Sequence, residues 1–195
     1  MEQLRCFVAI ELEEAILLEI RRTQTLLRND PAGKHGRWVR PEGIHLTLKF
    51  LGDVAADQLD TIAQAIRDAA IGVAPFRVSY GGLGCFPNTR FPRVIWIGVE
   101  DPAGTLLRVQ KTVDTNLSAL GYPPERRAFH PHLTLARTRR VSKVEQAALG
   151  KLVERTQVDR LGEMLVGEIS LMRSELRPSG ALYTQLAAAP LIVKE

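Results

Sequence analysis

The tetrapeptide His-Leu-Thr-Leu occurs twice in this chain, at His45–Leu48 and at His132–Leu135. The chain holds only four histidines, and two of them open the motif. The two openings lie 87 residues apart (132 − 45) in a chain of 195. A helix-patterned segment follows each copy, DQLDTIAQAI after the first and SKVEQAALGKL after the second. One copy would carry little weight, because leucine and threonine are ordinary strand residues. Two copies in matching strand-then-helix contexts point to a duplication. The expected product is two similar lobes, each supplying one copy to a common surface.

On a strand, alternate side chains face opposite sides. His45 and Thr47 therefore share one face, with Leu46, Leu48 and Phe50 on the other. His132 and Thr134 share a face in the same way, opposite Leu133 and Leu135. The leucines can anchor each strand to its lobe. Each histidine–threonine pair is separated by about 6–7 Å along the strand, a span that lets an imidazole and a hydroxyl reach one phosphate-sized group.

The rest of the chain supplies the scaffold. LRCFVAIEL (4–12) reads as a buried strand, with Cys6 as a small core residue. A helix follows over 13–29, with Ile16, Leu17, Ile20, Leu26 and Leu27 able to share a face. DPAGKHG (30–36) breaks it. RWVRPEGIHLTLKFLG reads as a short strand, a Pro-Glu-Gly turn and a second strand. A helix with Leu59, Ile62, Ala63 and Ile66 on one side comes next. Two strands around NTRF, a helix ending at Gly121, the second HLTL strand and another helix follow. GEMLVGEISLMRSEL and ALYTQLAAAPL read as two closing strands. GGLG (81–84) lacks the pattern of a phosphate-binding loop and suits a bulge or turn.

Composition narrows the functional class. A hydrophobic share of 45% and a charged share of 25% are those of a soluble globular protein. A chain this long can bury its core without disulfides or a structural metal, and Cys6 and Cys85 form no Cys-x-x-Cys pair. No stretch approaches the length of a membrane span, and no signal-like apolar segment opens the chain. A cytoplasmic, monomeric protein is expected. The net charge of +4 suits an anionic partner.

Imidazoles titrate near neutral pH, so a pair of them flanking a phosphorus can act as base and acid in one displacement. Threonine hydroxyls can donate to the non-bridging oxygens. Which histidine takes which role is left open by the residues themselves.

The flanked motifs RWVRPEGIHLTLKFLG and RAFHPHLTLAR resemble the two His-x-Thr-x signatures of the two-histidine phosphoesterases. Within that superfamily the likeness is to the RNA 2′,3′-cyclic phosphodiesterases, also called 2′-5′ RNA ligases. RCFVAIEL resembles the first strand of these proteins and LMRSELRPSGALYTQL the last hairpin. The resemblance implies an α+β fold over 1–195 as one bilobal, duplicated unit. Two antiparallel sheets would line a central cleft, with helices outside. It implies hydrolysis of a terminal 2′,3′-cyclic phosphate to a 2′-phosphate, without metal or other cofactor. It also implies the reverse, ATP-independent joining of RNA through a 2′-5′ bond. By position His45 would be the proton donor and His132 the base, with Thr47, Thr134 and Arg137 on the phosphate. Arg137 lies five residues after His132, so a regular strand turns it to the wrong face; only a bend, a bulge or an early strand end brings it into the cleft.

Arg37 and Arg40 before the first motif, and Arg126, Arg127, Arg137, Arg139, Arg140 and Lys143 around the second, read either as a solvated face or as a groove for an RNA backbone. Phe7, Trp38 and Tyr183 are candidates to stack a terminal base. Two other classes compete. A zinc phosphohydrolase would use His45, His130 and His132 as ligands, but the duplication gives His130 no counterpart. A non-catalytic module would bind RNA ends without turnover. A small cyclic phosphate or a 2′-5′ oligonucleotide could replace an RNA end within the same superfamily.

Overall fold

A computed structural model of the chain describes residues 2–138, 141–178 and 180–193. Arg139 and Arg140 lie outside the described residues. Nine strands, four α-helices and three short 3-10 turns are described. The strands are β1 (Gln3–Ile10), β2 (Arg37–Trp38), β3 (Leu46–Ala55), β4 (Phe76–Phe86), β5 (Val94–Glu100), β6 (His132–Arg137), β7 (Gly162–Val166), β8 (Glu168–Arg177) and β9 (Gly180–Pro190). The helices are α1 (Glu14–Asn29), α2 (Leu59–Ala70), α3 (Thr105–Ala119) and α4 (Lys143–Arg155).

The strands form two antiparallel sheets. One runs β3-β1-β8-β9 and the other β2-β6-β5-β4-β7. Helices α2 and α3 pack on the first sheet, and α1 and α4 on the second. This is the expected α+β architecture, with one HLTL copy per sheet. The lobes are not halves of the chain, however. After β1 in the first sheet, α1 crosses to cover the second; after β5 in the second sheet, α3 crosses to cover the first. Duplication therefore produced an exchange of helices between lobes.

Local sequence accounts for the starts of two helices. α4 begins at a reciprocal cap: the Glu145 amide donates to Ser142 Oγ at 3.2 Å, and the Ser142 amide donates to Glu145 Oε2 at 2.7 Å. At the start of α3, Asp101 Oδ2 accepts from the Leu106 amide at 2.6 Å. α2 buries Ile62, Ala63, Ile66, Ala69 and Ala70 at helical spacing.

Three details depart from the sequence reading. In α1, Leu26 is 60% exposed, while Thr23 and Gln24 are buried beside Ile16, Ile20 and Leu27. Ten residues from Ile16 is nearly three turns, which rotates Leu26 off the apolar stripe. GEMLVGEISLMRSEL is two strands, not one: Gly167 separates β7, in the second sheet, from β8, in the first. Phe50 does not join the leucines; it is 60% exposed on the other face.

A β-bulge explains Phe50. In the β1–β3 ladder Ala9 faces Thr47 and Val8 faces Lys49, so Leu48 is an extra residue. One extra residue shifts the alternation by one. Leu48 and Lys49 both turn to the core, at 2% and 1% exposure, and Phe50 returns to the face of His45 and Thr47. The second motif carries the same defect. Trp96 faces Thr134 and Ile95 faces Ala136, which leaves Leu135 extra. Leu135 and Ala136 are fully buried, and Arg137 is exposed on the face of His132 and Thr134. GGLG also holds a bulge, between Gly81 and Leu83, with Gly82 at φ +67.

Candidate active site

The two motif faces meet in one cavity of about 490 Å³. His45, Thr47, His132, Thr134 and Arg137 all line it, together with Phe7, Phe50 and Tyr183. The pair on each strand is thus brought to a common space by the packing of two sheets, and Arg137 joins them through the Leu135 bulge.

Each imidazole is held from two sides. His132 Nδ1 donates to the backbone carbonyl of His130 at 2.7 Å. A carbonyl can only accept, so the neutral ring carries its proton on Nδ1 and leaves Nε2 as an acceptor. His45 has a backbone hydrogen bond to Gly43, also two residues upstream. Aromatic rings complete the mounts. His45 stacks on Phe7 with centroids 4.5 Å apart and meets the Tyr183 ring edge-on at 5.0 Å. His132 meets Phe86 edge-on at 5.0 Å and lies 6.4 Å from the Trp96 ring. Gly84 makes room for that indole: a Cβ there would collide with the Trp96 ring.

Burial sets the protonation state. It removes solvent from the imidazolium, pushing His45 down to about 4 and lowering His132 as well. The Gly43 and His130 hydrogen bonds oppose this, and the Arg137 guanidinium adds to it at both rings. Both rings are therefore neutral in the free protein at pH 7. An anionic phosphate between them favours the protonated form and works against Arg137.

The aromatic candidates separate. Tyr183 lines the cavity and is half-buried. Phe7 is 2% exposed, and its ring is occupied by His45. Trp38 lies outside this cavity, donating its indole N–H to the Gly33 carbonyl at 2.9 Å. It lines an adjoining cavity of about 380 Å³ with Arg5, Arg37, Arg40 and Arg137. The two cavities share Arg5, Val39, Gly43, Arg137, Leu176 and Tyr183, so they form one continuous groove. Among the described residues, none of these four arginines is in an ion pair. Arg126, Arg127 and Lys143 are exposed and line neither cavity.

His130 is exposed and supports His132 through its main chain. Among the described residues, no group of three His, Cys, Asp or Glu side chains is gathered as a metal site. Sequence reasoning missed Phe50, Phe86, Trp96 and Arg5. Phe50 and Arg5 needed the bulge and the groove to be visible; Phe86 and Trp96 were legible only as strand aromatics.

A family model described as LigT-like phosphoesterase matches the chain twice, over residues 10–96 and 97–183. The chain belongs to the LigT-like phosphoesterase family. The tandem match accords with the repeated HLTL strands and their repeated bulges. A curated relative of this family from Methanothermobacter thermautotrophicus, an RNA 2′,3′-cyclic phosphodiesterase, is 38% identical over 184 residues, covering 94% of this chain and 97% of its own. A crystal structure from Thermus thermophilus superposes with a TM-score of 0.78 at 30% identity, covering 96% of this chain and 97% of that one. The LigT of E. coli, solved in complex with 3′-AMP, superposes with a TM-score of 0.76 at 25% identity, covering 97% and 99%. No described helix of this LigT-like chain is long and apolar enough to cross a membrane.

Proposed function

We propose that this protein hydrolyses the 2′,3′-cyclic phosphate at an RNA end to a 2′-phosphate by paired-histidine acid–base catalysis. The observation that carries the reading is that both His-x-Thr pairs and Arg137 line one cavity. His132, with Nε2 free as an acceptor, takes the proton of the attacking water. His45, once protonated, gives its proton to the departing 3′ oxygen. His45 takes the donor role by its position in the first motif, as the resemblance implies. Thr47, Thr134 and Arg137 hold the non-bridging oxygens as the phosphorus becomes five-coordinate. With the 5′-hydroxyl of a second RNA attacking in place of water, the same groups support 2′-5′ joining of RNA ends without ATP, the P–O3′ bond breaking as in hydrolysis. No step draws on a metal or other cofactor.

Two features favour an RNA end over a small cyclic phosphate. Phe50 is 60% exposed at the wall of the cavity that Tyr183 also lines, and offers a face for a terminal base. The adjoining compartment with Arg5, Arg37, Arg40 and Arg137 offers unpaired charge to the next backbone phosphates. The reading takes 1–195 as one bilobal monomer acting in the cytoplasm, since the cleft needs both lobes. M. thermautotrophicus RNA 2′,3′-cyclic phosphodiesterase supports the choice of substrate by its similarity over nearly the whole chain.

The test is a short RNA ending in a 2′,3′-cyclic phosphate, incubated with the protein in excess EDTA, with phosphorus NMR reading the product. A 2′-phosphate as the sole product is expected. A 3′-phosphate, or no turnover until zinc is added, would overturn the mechanism.

A further inference from the structure

The bulges that bring Phe50 and Arg137 into the cleft leave a main-chain problem. The extra residue of a bulge is out of register with its ladder, so its carbonyl needs another donor. In the second motif, Leu135 O accepts from the Val39 amide at 2.8 Å and from Gln24 Nε2 at 3.0 Å. Gln24 reaches it from α1, the helix that crosses between lobes, and is 2% exposed. The same Nε2 donates to Val39 O at 2.9 Å. In the first motif, Leu48 O accepts from Gln110 Nε2 at 3.4 Å, a longer contact. Gln110 comes from α3, the other crossing helix, and is 6% exposed.

The spacing matches the duplication. Gln24 and Gln110 are 86 residues apart (110 − 24), and Leu48 and Leu135 are 87 apart (135 − 48). Each glutamine arises in one repeat and holds the bulge of the other. A buried amide on a helix stripe is costly unless it is bonded, and leucine or methionine would fill either place with no donor to satisfy. That both repeats place a glutamine against the same bulge carbonyl assigns the amide a task beyond packing.

We infer that Gln24 and Gln110 are paired positioning residues, each clamping the bulge that turns one cleft residue inward: Gln24 sets Arg137, and Gln110 sets Phe50. Neither lines the cavity. Gln24 also bonds Val39 O, in the segment that leads to His45, and so reinforces the direct Val39–Leu135 main-chain bond that joins the two motifs. The longer Gln110 contact gives the weaker clamp. The inference rests on the cleft being the phosphate site.

Crossed double-mutant cycles test it. Gln24→Met keeps the length and volume of the side chain and removes its donors. On the cyclic-phosphate RNA, Gln24→Met is expected to lower kcat/KM about tenfold and Arg137→Ala about 100-fold. The double variant stays near 100-fold, because a misplaced guanidinium cannot be lost twice. Gln24→Met and Phe50→Ala multiply, whereas Gln110→Met and Phe50→Ala do not. If Gln24→Met folds and multiplies fully with Arg137→Ala, or leaves kcat/KM unchanged, the clamp is wrong. Should Gln24→Met fail to fold, the isosteric Gln24→Glu carries the same cycle; failure of both would show a purely structural role and overturn the proposal. If the wild type shows no turnover, the proposed activity fails on its own, and the same cycles are then read on the Kd of inorganic phosphate, with the same pattern of non-additivity expected.

Discussion

The two halves of the cleft share a plan and differ in what fills it. Both present His-Leu-Thr-Leu, bulge at the second leucine, and turn the fifth residue after the histidine inward. In the second half that residue is Arg137, and in the first it is Phe50. The residue just before it is buried in both, as Ala136 in the second half and as Lys49 in the first. Lys49 Nζ pairs with Asp114 and donates to the Pro123 carbonyl at 2.7 Å. Asp114 also accepts from the Glu125 amide at 3.3 Å. A charge buried beside the first motif thus fastens the segment that leads to His132. The repeat gives the cleft a two-fold plan, and the two walls have diverged, with charge on one and an aromatic face on the other; the proposed reaction, with one phosphate and one base, would use that asymmetry.

The plan predicts that neither histidine can replace the other. His45→Ala and His132→Ala should each lower kcat by about 10²- to 10⁴-fold, and the double variant should be little worse than the worse single. Circular dichroism and kcat on the cyclic-phosphate RNA check this. A single variant retaining tens of percent of activity would mean that one half of the cleft is not catalytic.

The buried charge is the next point of attack. Lys49→Met leaves the Asp114 carboxylate unpaired and should destabilise the fold by about 3 kcal/mol, the low end for a broken buried pair, since Asp114 keeps some solvent contact. The double variant Lys49→Met/Asp114→Asn should recover most of that loss in urea unfolding. No recovery would show that Lys49 stabilises through Pro123 alone. The inward residues should then split by parameter. Arg137→Ala should cost about 100-fold in kcat/KM for both a cyclic mononucleotide and an RNA end. Phe50→Ala should raise KM about tenfold for the RNA end, in the range of one lost base stack, with little change in kcat. Equal effects of the two variants on both substrates would erase the proposed division between the walls.

How far the sequence alone reaches is clear from these same positions. His45, Thr47, His132 and Thr134 were legible because a repeated polar pair on a strand is a pattern of period two. Phe50 was misplaced for a related reason: alternation fails at a bulge, and nothing in HLTLKF marks Leu48 as the extra residue. Arg137 could be placed only by weighing a bulge against a regular strand. Lys49 and Gln24 were invisible, because a lysine in a strand and a glutamine in a helix normally face water. The split at Gly167 was missed because a chain that changes sheets leaves no break in hydrophobicity. What the pattern could not carry was long-range: which helix covers which sheet, and therefore which main-chain carbonyl a buried amide meets.

The smallest effect is also the most direct test of the asymmetry, because Arg137 sits in one half and acts on the rings of both. For the free enzyme, kcat/KM follows the product of protonated acid and neutral base. With His45 as the acid at about 4, its protonated fraction falls tenfold per pH unit above that value. The neutral fraction of His132 falls below its own lowered pKa. The product therefore peaks below pH 6.5, the ordinary imidazole value. Bound phosphate raises both rings, so the optimum of kcat lies on the alkaline side of the optimum of kcat/KM. Arg137→Gln removes a cation that depresses both histidines, and should shift the kcat/KM optimum toward neutral by a fraction of a unit while lowering its height. Parallel pH profiles of the two proteins decide the matter. An optimum above 7 that ignores Arg137→Gln would place the guanidinium too far from either ring to tune them, and would leave it only the task of holding the phosphate.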